Sequence, residues 1–424
     1  MNERKTLYTR RDFLQTAFVV SAGVALPTFL SRPFLYASPE ETPIPGFQDD
    51  RILVMVQLSG GNDGLNTVVP YKNDDYYRAR SQVLGLKTSE LTPLNENIAL
   101  HQSLEPFKKL YEEGKLAVLN GVGYPNPNRS HFRSMDIWHT ASDSEQYLHD
   151  GWIGRYLDQG CVSTPQNVCG VNIGPKLPMA FDGKSGRGVS FDNPTQFKWI
   201  EGRGGGSDQQ STFRTLNKVG QTQTASSLSN LDYLRTVTAN AMVSSDQVVN
   251  VGKQKRVTEG YEGNRLGRDL KIVADLIIGR LPTRIYYVSF AGFDTHANQP
   301  NQQANLLKEL AQSLSNFYND LKKNNRSREV LTVTFSEFGR RVRENGSRGT
   351  DHGTAGPMFI LGEQLQPGFN SAYPSLTDLD RGGDLKFNID FRAVYASILE
   401  DWFKTDSSKI LGRSFPKIPF LNAR

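Results

Sequence analysis

The chain has 424 residues, with 49 Lys and Arg against 44 Asp and Glu and a formal charge of +5. Arg4, Lys5, Arg10, Arg11 and Arg32 all precede residue 38, so the remainder is close to neutral and offers no basic stripe of the kind nucleic acid requires. Cys161 and Cys169 are too few for a thiolate cluster; a local disulfide and two buried thiols both fit their spacing.

At the N-terminus, "YTRRDFLQTAFVVSAGVALPTFL" joins Arg10 and Arg11 to Phe13-Leu14 and a mild apolar run. That order predicts a twin-arginine signal over residues 1–37, read by the machinery that exports proteins already folded. The run from Thr16 to Leu30 carries Gly23 and Pro27 and falls short of the roughly 20 apolar residues of a membrane span, so no permanent anchor is expected. The expected location is the periplasm or another exported compartment.

The first element of the mature chain is "RILVMVQLSGGNDGLN", an apolar run over 52–58, interrupted only at Gln57, that leads into glycines. This is the pattern of a strand buried on both faces of a parallel sheet. Leu104, Phe107, Leu110 and Tyr111 then share a helical face, Gly114 stops it, and a second apolar strand follows over 116–119, together one βαβ unit. Between about 180 and 280 the polar, glycine-rich segments "EGRGGGSDQQS" and "QTQTASSLSN" predict an insertion or cap. The strand-then-loop order returns in "RIYYVSFAGFDTH", a helix over 303–323, the strand in "EVLTVTFSEFG", a short strand "PMFILG" and an amphipathic helix "DFRAVYASILEDWFK". One α/β domain over 38–424, a mostly parallel sheet flanked by helices with an inserted cap, accounts for this order.

Ligands gather beyond the carboxyl ends of such strands. Strand 52–58 leads to Asp63, strand 285–290 to Asp294 and His296, strand 330–335 to Glu337, and the next glycine loop carries Asp351 and His352. Carboxylate and imidazole donors suit a hard or borderline divalent cation: zinc first, with manganese, magnesium or calcium as alternatives, as one or two ions. A nucleophile would sit at a helix N-terminus, where Ser130 precedes "HFRSMDIWH" with Arg129 and Arg133 near enough in sequence to hold an anion. A plain N-cap serine fits the same position, and Thr67 is a weaker candidate.

"VQLSGGNDGLNTVVPY", "NRSHFRSMDIWHT", "FAGFDTHANQ" and "FSEFGRRVRENGSRGTDHGTAGPMFILG", in that order, resemble the exported domain of unknown function 1501, a family similar in pattern to the alkaline phosphatases and sulfatases. The resemblance implies an alkaline-phosphatase-like fold. It implies metal-ligand roles for Asp63, Asp294, His296 and His352, with Glu337 and Asp351 beside them. It also shows departures: one residue separates Asp294 from His296 where the phosphatases have three, and Phe338 stands where they carry a histidine. The expected activity is metal-dependent hydrolysis of an anionic phosphate or sulfate ester. The alternative is a non-catalytic exported binding or assembly protein that keeps the fold.

Overall fold

The computed structural model describes residues 49–80, 83–160, 168–184, 188–194, 248–252, 260–261 and 263–422. The expected signal over 1–37, most of the expected insertion, and Cys161 lie outside these residues. Cys169 is disulfide-bonded.

The eight-stranded sheet is built from β1 (Ile52–Ser59), β5 (Leu116–Gly123), β6 (Gly170–Ile173), β7 (Gly188–Phe191), β8 (Ile285–Ala291), β9 (Val330–Phe335), β10 (Gly356–Leu361) and β11 (Ile389–Asp390). Its strand order is β11-β5-β10-β9-β1-β8-β6-β7. A smaller sheet pairs β2 (Val68–Val69), β4 (Ala99–His101) and β3 (Leu91–Pro93), all antiparallel. In the large sheet β1 runs parallel to β8 and β9, and only β10 runs against its neighbours, β9 and β5. The fold is therefore mixed α/β with a mostly parallel sheet.

Why β1 is apolar at every position from Ile52 to Leu58 except Gln57 follows from its place at the sheet's centre. Ile52, Val54, Val56 and Leu58 enter one core with the helices Glu105–Glu112, Arg265–Ile278 and Gln299–Lys323. Leu53 and Met55 enter a second core with His131–Thr140, Trp152–Gly160, Phe391–Ser397 and Ser407–Leu411. Side chains alternate along a strand, so a sheet covered by helices on both faces demands apolar residues at odd and even positions alike. The helix Arg265–Ile278 starts at Asn264, whose side chain accepts from Gly267 N. Gln299–Lys323 starts with Pro300 in its first turn and ends on Lys322 and Lys323, which complement its dipole. No helix among the described residues is long and apolar enough to cross a membrane.

Two features differ from the sequence expectation. Strands β1 and β5 do not pair as a simple βαβ unit, because β9 and β10 lie between them. The strand read in "PMFILG" is β10, and its reversed direction places its beginning, not its end, at the edge where the parallel strands finish. The closing helix also changes character: Phe391–Ser397 is α-helical and Ile398–Trp402 continues as a π turn.

Candidate metal centre

Five loops meet at the carboxyl edge of β1, β8, β9 and β5 and the leading edge of β10. Gly60 makes the meeting possible: at φ +122° it adopts a conformation suited to glycine, and a Cβ there would lie 2.3 Å from the Asp294 amide nitrogen. Arg340, with a fully buried side chain, joins the loops by donating to Gly61 O (2.7 Å), Thr350 O (2.8 Å), Phe293 O (3.1 Å) and Asp294 Oδ1 (2.6 Å). Its backbone also bridges to His352.

At the centre is Asp294 Oδ1. His296 Nδ1 lies 2.9 Å from it, His352 Nε2 3.2 Å and His131 Nε2 3.6 Å. Atoms of His131, Asp294 and His352 all fall within 4.8 Å of one another, a spacing able to hold a metal ion. Each of the two facing imidazoles has its second nitrogen fixed. His131 Nδ1 donates to Glu337 Oε1 at 2.8 Å, and His352 Nδ1 to the Arg129 carbonyl at 2.8 Å. Metal-binding histidines are oriented by such carboxylate and carbonyl partners. The assignment of tautomers follows from those partners.

The fit to a cation follows from donor chemistry. With Nδ1–H spent on the carbonyl, a neutral His352 turns the Nε2 lone pair toward a carboxylate oxygen, and only a proton or a cation relieves that contact. Burial pushes His352 below its ordinary pKa, partly offset by its hydrogen bonds to Arg129 and Asp294, which disfavours the proton. His131 moves the other way, raised chiefly by its hydrogen bond to Glu337. Burial works to raise Asp294, but the hydrogen bond from Arg340, with a bond from His352 when that ring is protonated, prevails and holds its carboxyl at about 2, so it is ionised. The cluster is reachable from solvent, with Asp294 51% and His131 32% exposed at the side chain. Phe338, buried, backs it: its ring centroid lies 4.7 Å from His352 and 4.9 Å from His131.

The other residues singled out in the sequence have different places. Asp63 is buried in a two-pronged ion pair with Arg80 (2.7 and 2.9 Å), and Gln299 Nε2 also donates to it. Those bonds occupy both oxygens, so Asp63 fastens the loop after β1 and does not join the cluster. Glu337 is one bond removed from it; its Oε1 also accepts from Gly60 N at 2.8 Å. Asp351 is exposed and accepts from Asn345. Arg129 pairs with Asp380 and Asp384, and Arg133 donates to Ser144 O (2.8 Å) and Gln146 O (2.6 Å) and stacks on Tyr147, so both guanidiniums are committed elsewhere. Ser130 occupies the N-cap of His131–Thr140, exposed, with no capping bond from its hydroxyl. Thr67 bonds Asn62 and the Asp63 carbonyl and is buried. The residue sequence reasoning passed over is His131. Its signal was the histidine at the first position of a helix in the block "NRSHFRSMDIWHT".

The description "Protein of unknown function (DUF1501)" applies to a family that matches residues 202–410. The chain matches DUF1501. That span carries Asp294, His296, Glu337 and His352, while His131 lies before it. No curated protein matches the chain. Among solved structures, the chain is similar to lipoteichoic acid synthase LtaP from Listeria monocytogenes (8% identity, TM-score 0.37, covering 78% of this chain and 71% of that one). It is also similar to the C-terminal periplasmic domain of EcEptC from Escherichia coli in complex with zinc (10%, 0.34, 76% and 76%). A protein in the alkaline phosphatase superfamily from Vibrio parahaemolyticus is a third (9%, 0.31, 78% and 64%). Likenesses this remote carry no argument about chemistry, which rests on this chain's own atoms.

Proposed function

We propose that this chain is an exported, metal-dependent hydrolase of phosphate or sulfate esters, with one divalent cation held by His131, Asp294 and His352. The observation that supports it is the pair of imidazoles with Nδ1 fixed by oxygen partners and Nε2 turned to one carboxylate oxygen. Two nitrogens and one oxygen make a three-ligand set with room for a further ligand, as catalytic zinc sites have.

A divalent cation there would polarise an ester oxygen and acidify a neighbouring hydroxyl or water. The chain's residues supply the rest. Ser130 offers a hydroxyl free of capping duty at the N-terminus of a ten-residue helix, where backbone amides and the dipole favour an anion. Its backbone is steadied by the bond from Ser130 N to Asn128 Oδ1 at 2.9 Å. His296, with Nδ1 on Asp294, has a second nitrogen for proton transfer. Phe338 lowers the local polarity behind the imidazoles, which strengthens their hold on charge.

Elemental analysis of the folded protein, paired with turnover of aryl phosphates, phosphodiesters and aryl sulfates, tests this reading. His352→Ala is expected to lose metal and turnover together; Ser130→Ala is expected to keep metal and lose turnover. Protein that folds and binds no metal overturns the proposal. Metal uptake without turnover of any ester leaves the binding-protein alternative in its place. Export through the twin-arginine route is tested by changing Arg10 and Arg11 to Lys, which should retain the precursor inside the cell.

A further inference from the structure

We infer that the cavity beside the histidine cluster is the subsite for the organic part of the ester, and that this part is an apolar group the size of one or two aromatic rings. The inference rests on the metal reading above. The cavity has a volume of about 260 Å³ and is bounded by Tyr124, Pro127, Thr354, Ala355, Leu385 and Phe387. A cavity of about 150 Å³ lined by aliphatic and aromatic side chains takes a benzene ring, so this one accepts a phenyl group with space remaining.

Its position follows from the chain path. The floor is where β5 ends at Gly123 and the approach to β10 passes Ala355, on the same sheet edge as the metal cluster. β5 is two strands from β9, whose exit carries Glu337, a separation of about 10 Å at about 4.8 Å per strand. Thr354 is two residues from His352, which places their Cα atoms within about 7 Å. Pro127 lies on the segment that leads into His131, and the Arg129 carbonyl on that segment holds His352. Both histidine-bearing loops are thus walls of the cavity, and a small ester spans the two places.

The class of occupant follows from what the walls withhold. The polar side chains around the cavity already have partners: Thr354 Oγ1 donates to Leu385 O, the Tyr124 hydroxyl is shared with Ser134 and Asn128 N, Asp380 pairs with Arg129, and Lys386 pairs with Asp378. A sugar or nucleoside entering there would meet side chains that already have partners, apart from the spare N–H groups of Lys386, so most of its hydroxyls would each lose of order one hydrogen bond. An aryl group loses nothing and covers Phe387, which is 36% exposed.

The test is calorimetric titration of the metal-loaded full chain with two non-hydrolysable anions, phenylphosphonate and methylphosphonate. Phenylphosphonate should bind about tenfold tighter or better, from the apolar area it buries. Phe387→Ala should reduce that preference and Ala355→Leu, which fills the floor, should abolish it, with metal content unchanged in both. Equal affinity for the two anions, a preference that survives both substitutions, or a sugar phosphate bound as tightly as phenylphosphonate would overturn the inference. Should the protein hold no metal, the earlier reading falls and the cavity is read separately with neutral benzyl alcohol by saturation-transfer NMR. A signal present in wild type and lost in Ala355→Leu supports the subsite, and no signal in wild type refutes it.

Discussion

Glu337→Gln isolates the contribution of one buried carboxylate to the cluster. Glu337 is buried, and its Oε1 receives both the Gly60 amide (2.8 Å) and His131 Nδ1 (2.8 Å). A glutamine oxygen in the same place keeps both acceptor contacts and removes the charge. A bond to a charged acceptor is roughly twice as strong as a neutral one, and loss of such an outer partner typically weakens metal binding about 10- to 100-fold, or about 1.4 to 2.8 kcal/mol. His131 is raised above its ordinary pKa chiefly by this bond, so the substitution should lower it. A lower pKa reduces proton competition for the ring and, near neutral pH, would strengthen metal binding and mask the loss. The affinity is therefore measured by chelator competition at about pH 8 and corrected in each form for protonation of His131 with the pKa that NMR finds. His131 is titrated in parallel by NMR in metal-free protein. A fall in the pKa of His131 with unchanged metal affinity at pH 8 would refute the ligand role of this histidine. An unchanged pKa would refute the hydrogen bond itself.

Asp63→Asn should leave metal content intact and destabilise the fold by about 3 to 5 kcal/mol in denaturant unfolding, because the Arg80 guanidinium stays buried without its counter-charge; loss of metal in a variant that remains folded would return Asp63 to the cluster. His139, hydrogen-bonded to the Tyr287 hydroxyl, is pushed down by burial to about 4. Its folded pKa lies below the unfolded value of about 6.5, so the unfolded chain takes up the proton first and stability falls as pH drops from about 6.5 to 4, by at most about 3 kcal/mol. Unfolding of wild type and His139→Gln across that window checks this, the variant losing that part of the slope; parallel curves would refute it.

The strands were the most legible part of this chain, because a strand covered on both faces writes its burial into every residue. Ile52 to Leu58 and Val330 to Phe335 read as strands from the run alone, and Asp294 and His352 stood out by following or flanking such ends. Apolar runs carry no record of neighbour order or direction, which is why the two strands between β1 and β5, and the reversal of β10, could not be read. The carboxylates show the same limit. Asp63 and Glu337 both follow strands, yet one meets an arginine from the helix region at residue 80 and the other an imidazole from residue 131. Local sequence marks where a charge sits at the sheet edge; its partner is decided by loops that fold over from elsewhere. Phe338, read as a lost ligand, packs against two ligand candidates.

The order in which the cluster is supplied has a consequence for how the protein matures. His131 emerges from the ribosome long before Asp294, and His352 arrives later still, on the approach to a strand that pairs backwards into the middle of the sheet. Contacts between such distant parts of a chain form late and slowly. A nascent chain of any length short of the β10 approach therefore lacks His352, one of the three proposed ligands. On the proposed metal reading, the ion would be captured by a finished polypeptide, after synthesis, and its identity would reflect the ions available where folding is completed.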